Sequence, residues 1–397
     1  MSTQDFATSE TVALDDGATI LDSGVTLVPA SRGAVNTSLR TTVLPRVEIV
    51  GEKPAMVADG KVRYELANTL GEGGVGEVIK ARDNDIDRDV AIKRLRPEMR
   101  ASNANILRFA EEVRTVGRLE HPNIVPIHDV GIHDSGELFF VMKYVEGETL
   151  ESIIEKLASG DRAYHARYPF ERRVEIFKGI LEAIAYAHAK GIIHRDIKPA
   201  NVMVGPYGEV MMMDWGLARM TRGPELGGLG GSGVMGTPAY MSPEQARGDE
   251  LDERSDVYSL CVTLFELLTL HHPHEDVKTL PEMLEAVKNT LSPTVLDVTI
   301  HGEQGPVPAD LGWFLEKGLR KDRTQRYQSV GEMIDRLRRR AEGDIPVQCI
   351  VTFSMQASTI LRKALGRRPI LMSSAFLMGT VGTIGFAAVG VAHMFMR

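Results

Sequence analysis

Residues 192–216 read IIHRDIKPANVMVGPYGEVMMMDWG. Two carboxylates, Asp196 and Asp214, flank an amide, Asn201, and a cation, Lys198, follows the first carboxylate by two residues. That spacing suits holding a divalent metal on phosphate oxygens while orienting a hydroxyl nucleophile. The apolar runs Ile192-Ile193, Val202-Met203-Val204 and Val210 to Met213 predict short strands that anchor these groups. A charged, solvated loop would contain the same residue types, so the stretch has to be weighed with what surrounds it.

Upstream, Tyr64 to Leu70, then GEGGVGEV, then VIKARD predict strand, glycine turn, strand. Gly71, Gly73 and Gly76 fit G-x-G-x-x-G, with Glu72, Gly74 and Val75 between them and Val78 after. Glycines let backbone N–H groups approach phosphates without side-chain interference. Dinucleotide folds place a helix after such glycines, whereas Glu77-Val78-Ile79-Lys80 reads as a strand. A Walker-type loop needs Gly-Lys-Ser/Thr, and that is missing. Val90-Ala91-Ile92-Lys93 predicts a strand bearing a lysine. Residues 103–120 show helical apolar spacing through Ile106, Phe109, Val113, Val116 and Leu119, with Glu111 and Glu112 beside the stripe. Residues 138–145 predict a buried strand.

Downstream, Glu151 to Leu157 predicts a short helix and Ser159 to Glu171 a charged insert. A long helix runs from about Phe170 to Lys190, with Gly191 as its stop. Further helices are expected at 252–270, 280–289, 307–319 and 329–341, ending a domain near Gly343.

In this order and spacing, residues 64–343 resemble the eukaryotic-type (Hanks-type) serine/threonine protein kinase family, in its bacterial membrane-anchored form. The pattern H-R-D-x-K-P-x-N is intact. The resemblance implies an α+β, two-lobed fold with a small β-rich lobe and a larger helical lobe. It also implies ATP-dependent phosphoryl transfer to protein substrates. By resemblance, Asp196 is the base, Lys198 neutralises the γ-phosphate, and Asn201 and Asp214 hold Mg2+, with Mn2+ an alternative. Lys93 pairs with the α- and β-phosphates and is held by Glu112, with Glu111 the other candidate. Ala91 lines the nucleotide pocket, Met142 gates it, and Lys143, Tyr144 and Val145 form the hinge that bonds adenine. Asp256 braces the catalytic-loop backbone, and Glu244 pairs with Arg326.

Two departures stand out. The usual D-F-G is Asp214-Trp215-Gly216, and the usual A-P-E is Ser242-Pro243-Glu244. The larger Trp215 is expected to hinder an inactive swing of its segment. Between these motifs, Gly227 to Gly233 is too glycine-rich to hold a shape by itself. Arg195 is the type of arginine that pairs with an activating phosphate, for which Thr221, Ser232 and Thr237 are the acceptors. Thr237 is expected to bond Asp196 and Lys198, leaving Ser232 as the expected regulatory site. Cys261 replaces a common glycine and is expected to pack as a small hydrophobe.

Residues 1–63 contain one aromatic, Phe6, and no Lys or Arg before Arg32, which predicts a disordered, acidic Thr/Ser-rich tail. A faint echo, Leu14-Asp15-Asp16-Gly17 and Leu21-Asp22-Ser23-Gly24, follows Thr11 and Thr19. It is either low-complexity coincidence or a threonine tail for a phosphothreonine-reading partner. No charged n-region with an apolar run opens the chain, so no secretory signal peptide is expected. Net charge is −8, which disfavours a nucleic-acid partner. The two cysteines, Cys261 and Cys349, exclude a disulfide framework and a four-cysteine zinc site.

From Ile370 to Ala392 no residue is charged. As a helix the stretch is roughly 34 Å long, enough to cross a hydrocarbon core of about 30 Å. Arg362, Lys363, Arg367 and Arg368 precede it. The expectation is a basic juxtamembrane linker (344–369), a transmembrane helix in membrane lipid (370–392) and a short far-side tail (393–397), with the catalytic domain cytoplasmic. Ala375, Gly379, Thr383 and Ala387 form a small-residue stripe that could pair two copies as a homodimer. The alternative to an active kinase is a kinase-fold scaffold that binds nucleotide.

Overall fold

The structure, a computed structural model, describes residues 62–346 except 73–75, 100–101, 134–136, 221–235, 296–297 and 299–301. It also describes 12–13, 19–20, 26–28, 46–50, 53–57, 351–352 and 354–358. The chain divides into two compact units. One comprises Met1–Glu148 with Val202–Gly231, the other Thr149–Asn201 with Ser232–Arg397.

The first unit is built on a five-stranded antiparallel sheet. Its strands are β1 (Tyr64–Glu72), β2 (Gly76–Asp83), β3 (Arg88–Leu95), β4 (Ile127–Ile132) and β5 (Leu138–Lys143), in the order β1-β2-β3-β5-β4. A strand therefore follows the glycine turn, with Glu72 paired to Glu77 across it. This hairpin rules out the strand-glycine-helix arrangement of a dinucleotide fold. Helix α1 (Asn103–Val116) turns Phe109, Glu112 and Val116 inward. Phe109 joins Ala91, Leu95, Val125, Phe140 and Met142 in one apolar core, with Val78 and Met213 packed against it. Strands β6 (Val202–Val204) and β7 (Val210–Met212) form a tight hairpin; the Met212 N–H donates to the Asn123 carbonyl at 2.8 Å, and the Met212 carbonyl accepts from the Val125 N–H at 3.1 Å.

The second unit is helical: α2 (Leu150–Ala158), α3 (Arg162–Arg167), α4 (Phe170–Ala189), α5 (Pro243–Arg247), α6 (Glu253–Thr269), α7 (Leu280–Asn289), α8 (Ala309–Gly318) and α9 (Val330–Ala341). Helix α6 is apolar on nearly every face and buried along almost its whole length, as a central core helix must be. It packs on α4 and α8, and α4 packs on α9. Cys261 is fully buried in α6, and burial pushes its thiol up to about 12, so it packs as the small hydrophobe expected.

Two features go beyond the sequence reading. The charged insert at 159–171 contains a helix, α3, because Asp161 caps it: its carboxylate accepts from the N–H groups of Ala163 and Tyr164. Within the tail expected to be disordered, the described residues form five short strands, Val12–Ala13, Thr19–Ile20, Thr26–Val28, Arg46–Val50 and Lys53–Val57, paired in one sheet. Val, Ile and Thr recur in them, and ladder pairing satisfies their backbones without a large apolar load. Among the described residues no helix is long and apolar enough to cross a membrane. The expected span at 370–392 lies outside them, as do Cys349, Thr11, Thr221 and Ser232.

Candidate active site

Lys93 sits on β3, the middle strand of the sheet, with Val78 of β2 and Phe140 of β5 as its register partners. Its ammonium is fixed by charge: Nζ lies 2.5 Å from Glu112 Oε1 and 3.1 Å from Asp214 Oδ1. Glu112 is buried and Glu111 exposed, so the structure pairs Lys93 with the first of the two candidates. Burial works against the Lys93 charge, but the two carboxylates outweigh it and hold its pKa above the ordinary lysine value. Burial, and then the like charge of Asp214, raises the pKa of Glu112 against the pull of Lys93. One ammonium faces two carboxylates here, an excess of negative charge that suits a further cation.

Asp214 adopts a left-handed backbone, with φ 52°, unusual for a residue with a side chain. A Cβ on Gly216 would stand 3.2 Å from Glu112 Oε2 and 3.3 Å from Asp214 Oδ1, so a glycine keeps this turn uncrowded. Trp215, between them, is only 1% exposed. At the turn of the β1–β2 hairpin, a Cβ on Gly76 would meet the Arg94 carbonyl oxygen at 2.7 Å. Gly71 and Glu72 are exposed at the end of β1, and Gly73, Gly74 and Val75 lie outside the described residues. Ala91 and Met142 are buried in the core of this unit, and Met142 is thus both a core methionine and a neighbour of Ala91. Tyr144 and Val145 follow β5, and the Tyr144 ring lies 4.5 Å from Lys80 Nζ.

In the helical unit, Asp196 is held on both oxygens. Its Oδ1 accepts from the Thr237 N–H at 2.9 Å, and its Oδ2 accepts from Lys198 Nζ at 2.9 Å and Asn201 Nδ2 at 3.3 Å. Asn201 Nδ2 also donates to the Asp196 carbonyl at 2.9 Å. Lys198 Nζ donates to Thr237 Oγ1 at 2.6 Å. Thr237 thus meets both Asp196 and Lys198. Gly236 before it has φ 115°, a backbone that residues with side chains rarely adopt, and a Cβ there would stand 3.3 Å from the Met241 methyl.

Beneath this loop Asp256 is fully buried on α6. It accepts from the backbone N–H groups of His194 and Arg195, each at 2.9 Å, and faces His188 Nε2 at 2.7 Å. Burial raises its pKa, but His188 and the backbone donors overcome this and hold the carboxyl below the usual range. Arg195 has φ 72°, and Gln245 Nε2 donates to its carbonyl at 2.9 Å. Glu244 and Arg326 form a buried two-pronged ion pair at 2.7 and 2.8 Å. Arg326 also donates to the carbonyls of Arg320, Lys321 and Arg254, and Ser255 donates to Glu244, so the pair is well compensated.

Sequence reasoning missed His188 and Gln245. His188 sits in the last turn of α4 among apolar residues and looks like filler. Gln245 closes a capping box with Ser242, three residues before it, and also reaches the Arg195 carbonyl, which no local spacing announces. It also missed Arg173, whose guanidinium is buried on neutral acceptors, the carbonyls of Tyr168 and Leu267 and the Gln304 side chain.

With this geometry in place, residues 64–335 match the family model for the protein kinase domain. The chain belongs to the protein kinase family. Similar relatives include serine/threonine-protein kinase PknD of Protochlamydia amoebophila, 34% identical over 73% of this chain and 31% of its own length. A probable serine/threonine-protein kinase of Streptomyces coelicolor is 38% identical over 68% of this chain and 39% of its own length. Serine/threonine-protein kinase PknB of Mycobacterium tuberculosis is 36% identical over 77% of this chain and 47% of its own length. The kinase chain thus spans less than half the length of the curated relatives it matches.

A protein kinase domain uses ATP and a divalent metal. Asp214 offers a half-exposed carboxylate. Asn201 commits its amide nitrogen to Asp196, which leaves its amide oxygen as an acceptor. Among the described residues no group of three or more His, Cys, Asp or Glu is arranged to hold a metal alone.

Proposed function

We propose that the chain transfers the γ-phosphate of ATP to serine and threonine hydroxyls of protein substrates. The observation that carries this reading is the anchoring of Asp196, whose carboxylate is oriented by Lys198, Asn201 and the Thr237 backbone. A carboxylate so held can accept the hydrogen bond of an attacking hydroxyl, and Lys198 can neutralise the transferring phosphoryl group. Lys93, kept charged by Glu112, serves the α- and β-phosphates. The glycine turn (Gly71, Glu72, Gly73, Gly74, Val75, Gly76) and Val78 cover the triphosphate. Ala91, Met142, Tyr144 and Val145 take the adenine. Asn201 and Asp214 would hold Mg2+ or Mn2+, which when bound supplies charge neutralisation on the phosphate oxygens.

The test is transfer of labelled phosphate from ATP to a generic protein acceptor, with Asp196→Asn as the comparison. Transfer by the parent chain and its loss in the variant, with nucleotide affinity retained, are expected. Nucleotide binding without transfer by the parent would favour the scaffold reading.

Further parts of the proposal concern setting. We infer single-pass membrane attachment through residues 370–392, with 344–369 as a basic linker, and autophosphorylation with Ser232 as the regulatory acceptor and Arg195 to pair with its phosphate. Alkaline carbonate extraction that releases the full chain would overturn the first. Unchanged activity in Ser232→Ala would overturn the choice of that residue. A phosphothreonine-reading partner for the N-terminal tail and homodimerisation through the stripe at 375–387 complete the proposal.

A further inference from the structure

Arg195, the residue before the proposed base, carries a left-handed backbone, with φ 72°. A residue with a side chain keeps that conformation only where its surroundings fix it. Here both main-chain groups of Arg195 are fixed by side chains. Its N–H donates to Asp256 Oδ1 on α6 at 2.9 Å, and its carbonyl accepts from Gln245 Nε2 on α5 at 2.9 Å. That carbonyl belongs to the planar peptide unit joining Arg195 to Asp196, so its direction sets how the Asp196 backbone begins. On the same plane, the Asp196 N–H donates to His194 Nδ1 at 3.3 Å.

Gln245 is buried and uses both ends of its amide. Oε1 accepts from the Ser242 N–H at 2.9 Å, which leaves the donor end facing the Arg195 carbonyl. The Gln245 N–H donates to Ser242 Oγ at 3.3 Å, and Glu244 beside it is anchored on Arg326. The amide therefore projects from a helix that a buried ion pair holds in place. The chain just before α5 meets the same loop. The Thr237 N–H donates to Asp196 Oδ1, and a Cβ on Gly236 would lie 3.5 Å from the Arg195 carbonyl oxygen.

We propose that Gln245 is a positioning residue for phosphoryl transfer: its amide donor clamps the Arg195 carbonyl and thereby aims the Asp196 carboxylate. The proposal rests on the phosphotransfer reading of the site. Asp256 supplies one clamp on Arg195 and Gln245 the other, from two separate helices. The second clamp also ties the aim of Asp196 to the seating of residues 236–245. If that segment shifts, the Arg195 carbonyl loses its donor and the strained backbone keeps only one of its two ties.

The test compares the full parent chain with Gln245→Met, Gln245→Glu and Ser242→Ala. Gln245→Met keeps the length and removes the donor. Its kcat should fall about tenfold, the worth of one buried hydrogen bond, with KM for ATP unchanged. Ser242→Ala removes the helix cap but spares the bond to Arg195, so the denaturation midpoint should drop while kcat stays within about twofold. An equal kcat loss in the two variants would leave Gln245 a helix-capping role only and overturn the proposal. In Gln245→Glu the carboxylate cannot donate to the carbonyl, whereas the protonated acid can. Burial should raise that new carboxyl, so kcat relative to the parent should rise about tenfold from about pH 8 to about pH 6. A flat ratio overturns donation to Arg195. Hydrogen exchange of the N–H groups at 194–196 should quicken about tenfold in Gln245→Met. Unchanged exchange overturns the clamp whether or not the chain transfers phosphate. A parent chain that transfers none overturns the phosphotransfer reading instead, and the exchange rates still decide the clamp.

Discussion

The lysine set of the sheet unit and the aspartate set of the helical unit hold their charges by different means. Lys93 is fixed almost wholly by opposite charge, from Glu112 and Asp214. Asp196 is fixed by a mixture of a lysine, an amide and a backbone N–H, and its loop is tied from below by Asp256 through backbone donors. The first arrangement depends on side chains that sit on separate elements, a strand, a helix and a turn. The second gathers around one loop, whose backbone N–H groups are tied to Asp256 on α6 and whose Asp196 also accepts from the Thr237 N–H. Damage to the first should therefore appear as lost turnover in a folded protein, whereas damage beneath the second should appear as lost stability too.

Four measurements would break or sharpen this contrast. Asp196→Asn removes the oriented base, and turnover should fall by about 10²- to 10⁴-fold in a phosphotransfer assay while the melting point holds. Asp256→Asn keeps the shape but removes the charge that His188 and two backbone N–H groups meet. Denaturant titration should show a loss of about 3 kcal/mol, with turnover reduced as well. If stability is unchanged, the backbone tie is not what holds the loop. Glu112→Gln should lower turnover by about 10²-fold with little change in stability, while Glu111→Gln changes neither.

The smallest effect concerns pH. Burial holds His272 and His274 neutral, each lowered to about 4; a backbone contact at Ala239 opposes this for His272, and nearby Lys321 reinforces it for His274. Their folded pKa lies below the unfolded value, so the unfolded chain binds more protons between these limits. Stability is fully present above about pH 6.5 and declines as pH falls, by about 2 kcal/mol per ring at pH 5. The sheet unit also carries His128, lowered by burial and then by Arg88, so melting curves should show the acid loss chiefly, but not solely, in the helical unit.

Much of this was legible in the sequence because the chemistry is local. The spacing from Asp196 to Asn201 lies on one loop, and Lys93 was marked by the pattern Val90-Ala91-Ile92-Lys93. The helices at 280–289 and 329–341 match the observed α7 and α9 because their apolar spacing is regular. The choice of Glu112 over Glu111 rested on the resemblance alone, since both flank the apolar stripe, and burial is what separates them. His188 and Asp256 are 68 residues apart, and no local pattern announces that contact. The helix in the charged insert was missed because its signal is a single capping aspartate with no apolar period behind it.

Trp215 has a practical use. The chain has two tryptophans, Trp215 and Trp313, and Trp215 is shielded from water next to Asp214. Exchanging Trp313 for Phe would leave one indole fluorophore beside the metal-proposed carboxylate. Its emission maximum and quenching by acrylamide would then read the packing of that turn directly, with no label attached.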